Sequence, residues 1–108
     1  NNRSQIIIKG GNRMTLDAYN ANPSSMKASI SSFCEEKQKK SVVILGDMLE
    51  LGWYAAIAHQ SVIQQIIDSD IDEVLTIGEN FFETKSKDQR LKKFKTITEA
   101  EKYISEKN

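Results

Sequence analysis

Two stretches concentrate the side chains able to do chemistry: DAYNANPSSM from Asp17 to Met26, and GDMLELG from Gly46 to Gly52. The first sets a carboxylate, a phenol and two carboxamides (Asp17, Tyr19, Asn20 and Asn22) just ahead of Pro23. An acid there can accept a proton, orient an amine or bond loop amides. Asparagine is a strong helix cap and proline suits the first helical position, so a helix is expected to start at Asn22-Pro23. Its free amides and positive dipole end would face the loop, where an anion can dock. Asn20 and Asn22 could equally do no more than satisfy the turn and the cap. In GDMLELG, Gly46 and Gly52 permit sharp turns. Met48, Leu49 and Leu51 place apolar side chains in a loop, which must then meet another surface or fold onto its own domain.

Other reactive side chains are few. His59 shares a helical apolar stripe, as a core-edge histidine would, with a catalytic one as the alternative. The single cysteine, Cys34, falls on another apolar stripe and reads as a buried reduced thiol rather than a nucleophile. One histidine and one cysteine support neither a metal cluster nor a Cys-His dyad. No GxxxxGK[ST] phosphate loop is present, since Gly10-Gly11 lacks the lysine, the hydroxyl residue and the helix that should follow. If the chain handles ATP, the main phosphate cradle lies elsewhere.

The elements that must position these groups follow from period and punctuation. Gln5 to Lys9 and Met14 to Ala18 read as two strands joined across Gly10-Gly11-Asn12, an N-terminal β-hairpin. Met26, Ile30, Phe33 and Cys34 form the apolar stripe of a first helix that ends in the charged Glu35 to Lys40 run. Ser41 to Leu45 is a short apolar strand of the doubly covered kind. A second helix runs from about Tyr54 with His59, Val62, Ile63, Ile66 and Ile67 on one side, and a strand follows at Glu73 to Ile77. A weaker strand is expected at Phe94 to Ile97, then a helix opened by a Thr98…Glu101 capping box, with Ala100, Tyr103 and Ile104 buried. Repeated strand, glycine, helix units imply an α/β fold, mostly parallel, with helices on both faces of the sheet. Ligands of such sheets bind beyond the carboxyl ends of the strands. That rule selects Asp17 to Asn22, Gly46 to Gly52, and Gly78-Glu79-Asn80.

Composition narrows the functional classes. At 108 residues and 39% hydrophobic content, the chain is about one domain, residues 1 to 108. Lys+Arg and Asp+Glu both total 15, which gives no reason to expect nucleic acid or an anionic membrane as partner. The basic run of Lys85, Lys87, Arg90, Lys92, Lys93 and Lys95 reads as a solvated face. No apolar run approaches the ~20 residues of a membrane span and no signal peptide is visible, so a soluble protein of a reducing, cytoplasmic compartment is expected. The opening Asn1-Asn2-Arg3, without methionine, suggests a piece of a longer polypeptide.

DAYNANPSSMKASI from Asp17 to Ile30, VILGDMLELG from Val43 to Gly52, the later His59 and VLTIGENF together resemble the C-terminal domain of the Mur ligases, in the branch that adds D-alanyl-D-alanine to UDP-N-acetylmuramoyl-tripeptide. The likeness runs over nearly the whole chain. It implies a three-layer Rossmann-like domain, the third of a bacterial ATP-dependent enzyme of peptidoglycan synthesis. Such an enzyme phosphorylates the tripeptide carboxylate and lets the dipeptide amine displace phosphate. The resemblance places the phosphate loop and the Mg2+ ligands in a central ATPase domain and the nucleotide-sugar site in the first, with the third domain closing over the cleft. It matches Arg3 to an arginine that reaches the terminal phosphate of ATP, and Asp17 to an acid that positions the attacking amine. Tyr19, Asn20 and Asn22 match loop positions near nucleotide and dipeptide, while Asp47, Met48 and His59 fall in or just after a segment lining the closed cleft. Two departures stand out: the KGSRG-like segment that usually follows the last helix is absent, and Trp53-Tyr54 occupy positions expected to be smaller or acidic. Two other readings stay open, a free-standing flavodoxin-like nucleotide or phosphate-binding module, and an interaction domain that docks through the Met48 to Leu51 loop.

Overall fold

A computed structural model describes the backbone of residues 4–9, 13–18, 22–36 and 41–107, and side chains within 22–36 and 41–106. Five strands form one sheet in sequence order: β1 (Ser4–Lys9), β2 (Arg13–Ala18), β3 (Ser41–Gly46), β4 (Glu73–Ile77) and β5 (Leu91–Phe94). β1 pairs antiparallel with β2, whereas β2 to β5 pair in parallel. The Gly10-Gly11-Asn12 turn on which the hairpin expectation rests lies outside the described residues.

The helices are α1 (Pro23–Glu36), α2 (Ala55–Ile67, preceded by a 3-10 turn at Gly52–Tyr54), α3 (Glu79–Phe82) and α4 (Ile97–Lys107). Every residue of β3 is buried, because its alternate side chains serve two cores. On one face Val43 and Leu45 meet Met26, Ile30 and Phe33 of α1 and Ala58, Val62, Ile63 and Ile66 of α2. On the other, Val42 and Ile44 join Leu75, Ile77 and Ala100, with Phe94, Tyr103 and Ile104 packed alongside. Helices therefore cover both faces, as the sequence pattern predicts. Fully burying an apolar side chain of this size is worth about 1.5–3 kcal/mol, so the two clusters are the main favourable term.

Three details differ from the sequence expectations. β5 ends at Phe94 rather than beginning there, and Ile97 already belongs to α4. The cap of α4 sits two residues early: Thr96 Oγ1 accepts the Glu99 amide at 3.2 Å, and Glu99 Oε1 accepts the Lys95 amide at 3.2 Å. Thr96 and Thr98 each have glutamate three residues on, and the sequence alone does not rank the two frames. The third difference is α3, expected as loop. Four residues are too few to show a period.

The segments leading into β4 and β5 are tied together by Arg90, whose expected solvent setting gives way to a half-buried one. Its guanidinium donates to the carbonyls of Ile67 (2.8 Å), Ser69 (3.0 Å) and Ile71 (2.8 Å), and forks onto Asp88 at 3.0 and 2.9 Å. The guanidinium hydrogen bonds lower the Asp88 carboxyl to about 2 and raise Arg90 in turn. Only a planar group with five donors can satisfy so many oxygens at once.

Candidate functional site

Register puts the loops selected from sequence at one edge. Ala18 pairs with Leu45 and Gly46 with Ile77, so β2, β3 and β4 run out together. Asp17 is the penultimate residue of β2, level with Ile44. Arg3, Tyr19 and Asn20 lie outside the described residues. Asn22 caps α1 as expected. Its Oδ1 accepts the Ser25 amide at 2.8 Å, while its own amide donates to Ser25 Oγ at 3.1 Å.

The Gly46 to Gly52 loop turns largely inward. Met48 is 1% exposed and belongs to the α1/α2 core, against which Leu51 also packs, while Leu49 points out. Glu50 and Gly52 take positive φ (64° and 59°), which lets the chain reverse into the 3-10 turn. His59 fixes this path. Fully buried, its Nδ1–H donates to the Ala55 carbonyl at 2.7 Å, leaving Nε2 to accept the Met48 amide at 2.9 Å. Its ring stands edge-on to Phe81 at 4.6 Å. The two bonds specify one tautomer and one ring orientation. Asp47 Oδ1 is 3.8 Å from Nε2, beyond hydrogen-bonding range.

Asp47 turns instead to α3. Its Oδ2 accepts the Asn80 amide at 2.8 Å and the Asn80 side-chain amide at 3.1 Å, and its Oδ1 accepts the Phe81 amide at 3.0 Å. The carboxylate thus caps a helix 33 residues downstream. It fits because residue 78 is glycine: a Cβ there would stand 2.3 Å from Asp47 Cγ, and φ of 127° is open to glycine alone. Sequence reasoning selects Gly78-Glu79-Asn80 as a strand-end loop but does not join it to Asp47. The signal was the pairing of strand-end Gly46-Asp47 with strand-end Gly78, which only adjacency of β3 and β4 converts into a contact.

Between α2 and α3 lies an open cleft of about 320 Å3, lined by Gln60, Glu79, Asn80, Glu83, Thr84 and Lys85 among others. Two of its lining residues are joined there: Gln60 accepts the Lys85 amide at 2.9 Å and donates to the Lys85 carbonyl at 2.9 Å. The described residues contain no group of three or more His, Cys, Asp or Glu able to hold a metal ion. No helix among them is long and apolar enough to cross a membrane.

A largely parallel sheet, helix-covered on both faces and gathering its glycine and carboxylate loops at the strand carboxyl ends, defines a Rossmann-like α/β domain. Over residues 2–107 the chain matches the family described as Mur ligase, glutamate ligase domain, and it belongs to that family. Similar proteins include UDP-N-acetylmuramoyl-tripeptide--D-alanyl-D-alanine ligases. That of Bacillus subtilis is 44% identical over 75 residues, 67% of this chain and 16% of the relative. That of Rickettsia prowazekii is 34% identical over 76 residues, 70% of this chain and 17% of the relative. The Borreliella burgdorferi protein is 30% identical over 92 residues, 84% and 20% respectively. A crystal structure of MurF from Acinetobacter baumannii superposes with a TM-score of 0.73 at 25% identity, covering 94% of this chain and 22% of that one. The chain spans about a fifth or less of the length of these curated relatives.

Proposed function

We propose that the chain is the C-terminal domain of an ATP-dependent ligase joining D-alanyl-D-alanine to UDP-N-acetylmuramoyl-tripeptide in peptidoglycan synthesis, acting in the bacterial cytoplasm. The observation that carries this reading is the family match across residues 2–107, together with D-alanyl-D-alanine ligases among its similar proteins. In the reaction, the γ-phosphoryl group of ATP passes to the tripeptide carboxylate, giving an acyl phosphate and ADP. The dipeptide amine then attacks the acyl carbon, loses a proton and expels phosphate. The chain's own contribution is half a site, completed when it closes over a central domain that holds ATP and Mg2+ and excludes water.

Within that half site, Arg3 meets the terminal phosphate of ATP, for which an always-charged bidentate donor is suited. Asp17, at the end of β2, orients the attacking amine. Tyr19 and Asn20 serve the nucleotide and the dipeptide, as their match to the family's loop positions implies. The Asn22 cap, the Asp47 cap of α3, the buried Met48 and the His59 bond to the Met48 amide act from behind, holding the rim that faces the cleft. The free-standing nucleotide-binding module is the weaker reading, since the relatives are ligases several times longer.

The test is phosphate release by the full-length polypeptide with ATP, the UDP-linked tripeptide and D-alanyl-D-alanine. Release is expected only with all three present. Asp17→Asn should cut turnover far more than it lowers the melting temperature, and Arg3→Ala should cost on the order of 10²-fold in rate, as loss of one well-placed donor does. Phosphate release indifferent to the dipeptide would overturn the function, and equal losses of activity and stability in Asp17→Asn would overturn its role.

A further inference from the structure

α2 has two long faces. One carries Ala58, His59, Val62, Ile63 and Ile66 into the core. The other faces outward and bears no charge: no residue from Leu51 to Ile67 is Asp, Glu, Lys or Arg, in a chain where those types make up 28%. The outer face of a surface helix ordinarily carries charged and polar groups. Here the 3-10 turn leading into the helix bears Trp53, 85% exposed, and the first turn of α2 bears Ile57, 55% exposed. Leu49, 59% exposed, lies four residues before Trp53 in the preceding loop, and the half-exposed Tyr54 stands edge-on to the Trp53 ring at 5.7 Å.

We propose that this patch is a docking surface within the longer polypeptide, seating Trp53 in an uncharged apolar recess of a neighbouring domain. Exposed tryptophan and tyrosine with aliphatic neighbours is the composition of an interface core, and between Leu49 and Ile57 the one charged side chain is the exposed Glu50. The patch opens directly from the Gly46 to Gly52 loop at the carboxyl ends of the strands, so whatever docks there is held against the rim of the candidate site. Size favours a domain of the same chain over a second copy. Four side chains offer a few hundred Å2, less than the ~800 Å2 per partner of a stable association between separate chains. Interfaces between domains of one chain total only about 600–1,500 Å2 over both sides. Length agrees, because in the relatives about four fifths or more of the polypeptide lies outside the matched segment. The inference rests on the proposed function only in taking the chain as one domain of such a polypeptide.

The experiment is hydroxyl-radical footprinting of the full-length polypeptide, read by mass spectrometry at the Trp53 peptide over a range of protein concentrations. Because residues at an interface core are almost wholly buried, Trp53 should be oxidised roughly fivefold or more slowly than tryptophan amide, at every concentration. Ile57→Asp, a change at an exposed position that leaves the core intact, should restore rapid oxidation without altering the circular dichroism. Oxidation of wild-type Trp53 near the rate of the free amide overturns the proposal. So does protection that appears only as concentration and molecular mass rise together, which assigns the patch to a second copy. Protection in a polypeptide that shows no ligation would retire the function and leave the docking surface; ligation with Trp53 open would do the reverse.

Discussion

The contact between residue 78 and Asp47 makes a quantitative demand. Gly78→Ala sets a methyl 2.3 to 2.6 Å from the Asp47 carboxyl carbon and oxygens, at a φ of 127°. Backbone strain there is worth about 1–3 kcal/mol. The carboxylate must also withdraw from the amides of Asn80 and Phe81, and charge-assisted bonds of that kind contribute about 1.5–3 kcal/mol each, less what water restores at the Asn80 end. Gly78→Ala should therefore cost about 3–6 kcal/mol. Asp47→Ala, which loses the cap but not the backbone geometry, should cost about 2–4 kcal/mol. In the double variant the methyl meets no carboxylate and only strain is added, so its total should fall about 2–3 kcal/mol short of the sum. Urea unfolding followed by circular dichroism measures all three, and each 1 kcal/mol moves the melting temperature of a domain near this size by about 4–8 °C. Additivity within about 0.5 kcal/mol would refute the claim that the carboxylate fills the space a side chain at 78 would need.

Three further outcomes are expected. Thr76 Oγ1 is fully buried with no hydrogen-bond partner among the described residues, so the nearly isosteric Thr76→Val should raise stability by about 1 kcal/mol in the same assay. His59→Phe keeps a buried ring but strands the Met48 amide, so it should cost about 1–3 kcal/mol and speed hydrogen exchange at Met48. For Asp88, lowered from 3.8 to about 2 by the Arg90 hydrogen bonds, the native state holds its proton more weakly than the unfolded chain. The stability it contributes is present above about pH 4 and disappears as pH falls through about 2, so the acid-unfolding profile of Asp88→Asn should flatten across that window.

Legibility followed the distance over which each feature is encoded. Asn22-Pro23 and the Met26, Ile30 and Phe33 stripe lie within a few turns of each other, and α1 starts and buries as they predict. Ser41 to Leu45 was readable as a doubly covered strand because both of its faces are apolar. The α3 cap was not readable, since its acceptor is 33 residues away and the helix itself is a single turn. The same holds for Arg90, which looks like one more cation in a basic run until three carbonyls from around the end of α2 converge on it. In the site region, the glycine and carboxylate loops were selected correctly as strand ends, but the inward turn of Met48 and its bond to His59 depend on a packing partner that periodicity does not name.

The strand order has a kinetic meaning. Each strand lies beside its neighbour in sequence, from β1 to β5, so no strand must be threaded between two that have already paired. Closing each new pair confines only the segment that joins it, so a parallel sheet, whose crossovers are slow to close, meets that cost one crossover at a time. The sheet can grow by accretion as the chain emerges, each new strand covering the edge that the preceding one left open, while the outer edge of β1 stays uncovered by β2 to β5.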